Sequence, residues 1–221
     1  ESKGACMSIR YLRGVAKIEI NLGILNSLAG SYDTAEKLWT HALEFFRSVG
    51  DEQTVASILN NIGGMMVLRR KFESAAANFK AAVIASVKAN DRYTETISAL
   101  NLAFCQAKLG YFEETRKIID EISPLMKESF DLYQLAWLHL VNGIYNTYRG
   151  SWPEAEKNYQ AALRFAQASG NVELIAYCHE EYGISLLERD KRKEAEEQMT
   201  LSREIVESIK KIELKGKLAN F

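Results

Sequence analysis

The fold is decided by the stretch ILNNIGGMMVLRRKFESAAANFKAAV, which spans residues 58–83. Its first part carries apolar side chains at the spacing of one helix face, namely at Ile58, Ile62, Met65, Met66 and Leu68. The polar run Arg69-Arg70-Lys71 interrupts this pattern, which then resumes at Phe72, Ala75, Phe79, Ala82 and Val83. The stretch therefore predicts two helices joined by a short turn.

The same pattern recurs at every fortieth position, without insertion or deletion. A small residue marks one phase of every copy, at Gly23, Gly63, Ala103, Gly143 and Gly183. A bulky residue follows sixteen positions later, at Trp39, Phe79, Ile119, Tyr159 and Met199. Because glycine inside a helix costs ~1 kcal/mol relative to alanine, its recurrence needs a benefit. We expect each small residue to let the two helices of a pair approach closely under the bulky side chain.

Turn and capping residues separate the helices. Good N-cap residues precede the first helix of four copies, at Asp51, Asp91, Asp131 and Asn171. Glycines suited to a helix C-terminus precede the second helix, at Gly30, Gly110 and Gly150. Asp33 with Glu36, and Ser151 with Glu154, fit a capping box at the start of the second helix.

Composition is that of a folded, reduced protein. The 221 residues are 47% hydrophobic and 26% charged, with a net charge of -1, so no overall field attracts nucleic acid or an anionic membrane. Three dispersed cysteines indicate a reducing compartment, and we expect a cytoplasmic location. We expect no membrane span, no cofactor and no metal. The chain opens on Glu1 rather than Met, which we take as a sign of a longer protein with further repeats upstream.

The spacing of these residues resembles the tetratricopeptide repeat (TPR). Its marks here are a small residue, an aromatic residue nine positions later, alanine twelve later and a bulky residue sixteen later, as in Gly63, Phe72, Ala75 and Phe79. That family usually repeats every ~34 residues. The longer period is similar to the branch that includes the maltose-regulator sensor domain, kinesin light chains, spindle-orientation adaptors and peptide-pheromone receptors.

This resemblance implies an all-α fold, a right-handed α-α superhelix of five helix-turn-helix repeats. We predict one domain over residues 1–221, with repeats near 11–50, 51–90, 91–130, 131–170 and 171–210. Residues 211–221 are predicted to be the end of a C-terminal capping helix. Charged residues of the last second helix, among them Glu196, Glu197 and Arg203, suit a terminal cap.

The resemblance also implies a binding surface on the concave face, lined by the first helices. Asparagines in phase, Asn21, Asn61 and Asn101, are expected there to pair with the backbone of a bound peptide, since each amide carries a donor and an acceptor. Further expected contacts are Asn60, Ile24, Leu28, Phe104, Lys108, Ile144 and Tyr148. Two alternatives stay open: the asparagines could bond neighbouring helices instead, and the apolar side chains could be core.

Other patterns are weaker as functional signals. We expect Trp137, Tyr148 and Tyr177 to come near one another, where they could hold a sugar or form core. Arg69, Arg149 and Arg189 share a phase and could form a basic ridge, or simply lie in solvated turns. His139 and His179 are interpreted as residues of helix interfaces.

The sequence contains no phosphate-binding loop and no nucleophile triad, so we expect no enzyme activity. The predicted function is a scaffold, adaptor or regulatory sensor that binds a protein or peptide. The alternatives are a small-molecule sensor, for example of sugars, within a larger regulator, and a self-association module that forms a homo-oligomer. Nucleic acid is not an expected partner.

Overall fold

The computed structural model describes the backbone of residues 2–129 and 131–218, and the side chains of residues 10–126, 131–209 and 211. These residues form ten α-helices and no strand. The helices are α1 (Ser2–Leu28), α2 (Tyr32–Ser48), α3 (Glu52–Leu68), α4 (Phe72–Ala89), α5 (Arg92–Leu109), α6 (Phe112–Ser129), α7 (Leu132–Tyr148), α8 (Trp152–Ser169), α9 (Val172–Leu187) and α10 (Arg192–Leu218). Each predicted repeat contains a first and a second helix in this order, as the sequence predicts. The two helices pack against each other in the first, second, fourth and fifth repeats.

The helices form two compact units. The first, Glu1–Leu109, holds α1 to α5, and the second, Gly110–Phe221, holds α6 to α10. Helices that follow one another in the chain pack together within each unit. The boundary divides the third predicted repeat between its two helices, and the single domain expected from the sequence stays a prediction.

The small residues do create close approach, as the sequence predicts. A methyl group added to Gly63 would lie 2.6 Å from a ring atom of Phe79, and one added to Gly143 would lie 2.9 Å from Tyr159. Gly23 lies in the same way against Trp39, whose indole N–H donates to the carbonyl oxygen of Ile20 at 3.0 Å. A larger side chain at these positions would have to displace the ring that closes the helix pair.

The caps differ between the two kinds of helix. Carboxylate or amide oxygens of Asp51, Asp91, Asp131 and Asn171 each accept the backbone N–H three residues on, so the predicted N-caps of the first helices are confirmed. Burial would raise the pKa of Asp91, but hydrogen bonds from Thr94 and Gln53 outweigh burial and lower it.

The predicted capping boxes of the second helices are wrong. Helix α2 already begins at Tyr32, so Asp33 lies inside its first turn, and the N-cap is Ser31. Ser151 is the N-cap of α8, as expected, but its side chain makes no capping hydrogen bond. The second helices are instead entered through a residue in the left-handed region, Gly30, Arg70, Gly110, Gly150 or Asp190.

The end helices are longer than the internal ones. Helix α1 begins at Ser2, before the predicted start of the first repeat at residue 11, and no turn separates the two parts. Helix α10 runs unbroken past residue 210 to Leu218. Exposed charged residues cover its outer side, including Glu196, Glu197 and Arg203, as the sequence predicts for a terminal helix.

Candidate functional site

The asparagines expected to form a ladder behave differently from one another. Asn101 Nδ2 donates to Asn60 Oδ1 at 3.1 Å, and the Ser98 hydroxyl donates to the same oxygen at 3.2 Å. These bonds join α3 to α5. For Asn60 and Asn101 the structure therefore supports the alternative in which the amides hold neighbouring first helices together.

The other two asparagines are not used in this way. Asn21 is exposed and Asn61 is half-buried, and neither side chain makes a hydrogen bond to any residue that the structure describes. Both amides can therefore donate to and accept from a bound molecule.

A notch lies next to Asn61. Gly64 follows three residues later on α3, and a methyl group added there would meet no atom of a neighbouring element within 4 Å. The other copies carry a large side chain at this phase, such as Ile24, Phe104 and Ile144. Gly64 therefore has no packing partner that would explain its cost to the helix, in contrast to its neighbour Gly63.

The apolar residues expected in the groove divide into two groups. Ile24 is 38% exposed and Leu28 is 72% exposed, so both offer apolar surface on α1. Phe104 and Ile144 are only 2% and 1% exposed, and the alternative that places them in the core is the right one for both. The Phe104 ring packs edge-on against Phe72, with ring centroids 6.1 Å apart.

The remaining two predicted contacts are partly engaged. Lys108 is half-buried, with its Nζ 5.7 Å from the centre of the Phe104 ring. Tyr148 is 43% exposed and stacks on Phe112, with ring centroids 6.3 Å apart. Each could still present its outer side to a partner.

The predicted aromatic group is wrong in one member. Trp137 and Tyr177 do lie together, with ring centroids 5.6 Å apart on α7 and α9. Tyr148 stacks elsewhere, because eleven residues of helix separate it from Trp137, a distance of about 16 Å. No observation favours a sugar site over ordinary packing here.

The arginines that share a phase hold repeats together and do not form a free basic ridge. Each guanidinium lies 5.7–6.0 Å from an aromatic ring centre, Arg69 over Tyr32, Arg149 over Tyr145 and Arg189 over Trp152. Each also lies 3.1–3.8 Å from a carboxylate oxygen of the preceding repeat. These charges are therefore largely committed within the protein.

The cysteines and histidines have structural surroundings. Burial raises the pKa of the Cys105 and Cys178 thiols to about 12, so neither is a thiolate at neutral pH. His139 Nδ1 is 3.0 Å from Asn158 and His179 Nδ1 is 2.7 Å from Gln198, which confirms both as residues of helix interfaces. Among the side chains described, no three His, Cys, Asp or Glu residues converge as metal ligands would.

Two surface features were not predicted from the sequence. The outer side of α1 is apolar and exposed, with Tyr11 at 73%, Ile18 at 59% and Leu25 at 61%. A cavity of about 270 Å³ lies between α9 and α10. A signal for the cavity was present in the spacing of Glu173, Tyr177 and Glu180, which places all three on one face of a helix.

Comparison with known proteins identifies the repeat. Residues 14–83 match the family model of the tetratricopeptide repeat. No curated protein sequence matches the chain. A search for membrane-spanning segments finds no described helix with the necessary length and hydropathy.

Solved structures support the same fold over most of the chain. The crystal structure of BtubC (BKLC) from P. vanneervenii has a TM-score of 0.65 and 15% identity, covering 92% of this chain and 87% of that one. A putative kinesin light chain from Podosopora anserina, with nearly identical TPR-like repeats, has a TM-score of 0.57 and 13% identity, covering 87% and 95%. At such identities the likeness is one of fold. Residues 14–83 therefore consist of tetratricopeptide repeats, and the solved structures show the same helical-repeat fold over most of the chain.

Proposed function

We propose that this TPR protein is a non-catalytic scaffold that binds an extended segment of a partner protein on the first helices of its N-terminal unit. Repeats of this family generally serve as protein-interaction scaffolds. Asn61, Asn21 and the exposed side chains of Ile24 and Leu28 supply the contacts.

The notch at Gly64 is the observation that carries this proposal. A glycine inside a helix lowers stability unless its missing side chain is used, and no atom of a neighbouring described element comes near it. Glycine lets another backbone approach a helix closely. The amide of Asn61, about one turn earlier, then reaches the N–H and C=O groups of that backbone.

Apolar contacts complete the surface. Leu28 is 72% exposed and Leu68, at the same phase of α3, is 61% exposed. Two large apolar side chains at equivalent ends of neighbouring first helices supply burial to a partner that runs across both. The partner is therefore expected to present a backbone with free hydrogen-bonding groups and at least one apolar side chain.

A peptide-library experiment tests the proposal. Peptides of about twelve residues selected for binding should lose affinity roughly tenfold or more with Gly64→Leu, because the added side chain fills the notch. Asn61→Ala should cost a similar factor through the lost amide bonds. Affinities are measured by fluorescence anisotropy, with the fold checked by circular dichroism.

Asn78→Ala is the matched control, since Asn78 is half-buried like Asn61 but lies on α4, where its amide donates to the Ser74 carbonyl. It should leave peptide affinity unchanged. Failure to enrich any peptide, or enriched peptides that bind all three variants equally, would contradict the proposal.

Self-association is a second candidate function, favoured by the outer side of α1. Tyr11, Ile18, Leu22 and Leu25 lie on this side and are 42–73% exposed, and no charged residue interrupts them. Exposed apolar faces of this kind mark interaction sites. The outer side of α10 is charged, so a second copy would pack its own α1 here in a two-fold arrangement.

Light scattering over a concentration series tests this second candidate. The wild-type mass should rise toward that of a dimer, and the double variant Ile18→Glu, Leu25→Glu should stay monomeric. Leu68→Glu, which changes an equally exposed leucine elsewhere on the first helices, should still dimerise. A monomeric mass for the wild type up to about 1 mM would exclude a dimer of useful affinity.

A further inference from the structure

The cavity between α9 and α10 is a second recessed feature, and it lies in the C-terminal unit, apart from the notch at Gly64. Its volume is about 270 Å³. The lining consists of Glu173, Ala176, Tyr177, Glu180, Ser202, Val206 and Ile209. Because sites for drug-sized ligands start at about 300 Å³, this cavity suits a smaller group.

Two glutamates of α9 line this cavity. Glu173 and Glu180 form no ion pair or hydrogen bond with any residue that the structure describes. Some acidic residues of the neighbouring helices are paired, as Glu156 is with Arg189 and Glu194 with Lys191. Two like charges beside one cavity repel each other, and a bound cation would relieve that repulsion.

The hydroxyl of Ser202 also lies at this cavity. Ser202 is 8% exposed, lines the cavity and makes no hydrogen bond to a described residue. Helical serines elsewhere donate to a carbonyl of their own helix, as Ser86, Ser123 and Ser208 do. The Ser202 hydroxyl can therefore accept a hydrogen bond from a ligand that carries a donor group.

The rest of the lining suits an organic cation better than a hydrated metal ion. The Tyr177 ring lies between the two glutamates along α9 and packs against Trp137, and the face of such a ring attracts an ammonium or guanidinium group. Ala176, Val206 and Ile209 offer apolar contacts to methylene groups. Carboxylates, an aromatic ring and aliphatic walls together match the side chain of lysine or arginine.

We propose that the cavity between α9 and α10 binds an organic cation, an alkylammonium or guanidinium group such as the lysine or arginine side chain of a partner protein. Glu173 and Glu180 neutralise the charge, Ser202 accepts a hydrogen bond, and Tyr177 contacts the cation. The site does not rest on the peptide surface of the N-terminal unit, since it shares no residue with it.

Titration of the whole chain with small probes, followed by NMR, tests the site. N-acetyl-lysine methylamide represents a side chain of a partner, and n-butylammonium represents a free amine. Either probe should shift the resonances of Tyr177 and Ser202 in a saturable way, and raising the salt concentration should weaken binding. Stronger binding of the first probe would assign the site to a protein segment, and stronger binding of the second to a free amine.

The neutral analogue N-acetyl-norleucine methylamide should not bind. The double variant Glu173→Gln, Glu180→Gln should lower the affinity for the cation tenfold or more. Glu188→Gln, which removes an exposed carboxylate at the end of α9, should change it less than twofold. The proposal would be overturned by any of three results: no saturable shift with either cation, equal binding of the norleucine analogue, or unchanged affinity in the double variant. None of these results would bear on the proposed peptide surface at Gly64.

Discussion

Helices α1 and α3 occupy the same place in successive repeats, yet one face of each meets different surroundings. Ile18 is 59% exposed and its counterpart Ile58 is fully buried. Leu25 is 61% exposed, and Met65 at the same phase is 1% exposed. The side chains are similar in size and polarity, so the difference comes from their neighbours.

The neighbour is the second helix of the preceding repeat. Helix α2 packs against α3, whereas no described helix covers the same face of α1. The opposite face is alike in both helices, because each packs on its own second helix through a glycine. The comparison shows that the phase of a residue sets the direction of its side chain, and the adjacent helix decides whether that side chain is core.

The largest effect expected from this comparison is at the buried isoleucine. Ile58→Ala should lower the free energy of unfolding by about 2–5 kcal/mol, because it removes packed side-chain volume. Ile18→Ala should change it by less than about 0.5 kcal/mol. Urea unfolding followed by circular dichroism measures both. If Ile18→Ala in dilute protein cost as much as a buried isoleucine does, about 2 kcal/mol or more, another element would have to cover α1.

The second prediction concerns the face that α1 and α3 share. Gly23→Leu and Gly63→Leu should each cost about 1–3 kcal/mol, since Trp39 or Phe79 must move to admit the new side chain. The two costs should agree, because the difference between the helices is confined to the other face. A neutral result at either glycine in the same urea assay would refute the close approach of the helix pair.

The third prediction is a gain in stability. Gly64→Ala and Gly14→Ala should each raise the free energy of unfolding by about 1 kcal/mol, because both glycines are helical and a methyl group added at either meets no neighbouring atom within 4 Å. Thermal unfolding measures this gain. A loss of stability in Gly64→Ala would mean that part of the protein fills the notch.

The smallest effect is expected at the ends of the two helices. Arg70 has a φ of 54° after α3, where Gly30 has a φ of 77° after α1. Arg70→Gly should therefore add about 0.4–1 kcal/mol, since glycine adopts this conformation without steric cost. Gly30→Arg should remove a similar amount, and equal melting temperatures for both variants and the wild type would contradict this.

Much of the fold could be predicted because it depends on spacing. The forty-residue period predicts the helix pairs, the small residues under bulky ones and the caps at Asp51 and Asp91, and these depend on contacts within or next to one repeat. The prediction of a capping box at Asp33 was wrong because Gly30 adopts the left-handed conformation and α2 begins at Tyr32, one residue before Asp33.

The candidate site was harder to predict, since it depends on distances between helices. Ile24 and Ile144 share a phase, but one is 38% exposed and the other 1%. Asn61 and Asn101 also share a phase, and only Asn101 finds an amide partner on a neighbouring first helix. The sequence pattern contains no measure of how closely two first helices lie.

The turn that connects one repeat to the next has a consequence for how such a chain can change in length. Gly50 precedes Asp51 and Asn90 precedes Asp91, both with the first residue left-handed and the second a cap. Removal of residues 51–90 would place Asp91 directly after Gly50 and would restore an equivalent turn, with a left-handed residue followed by an N-cap residue. Unequal recombination between such points would add or delete whole repeats while leaving the conformation of every turn intact.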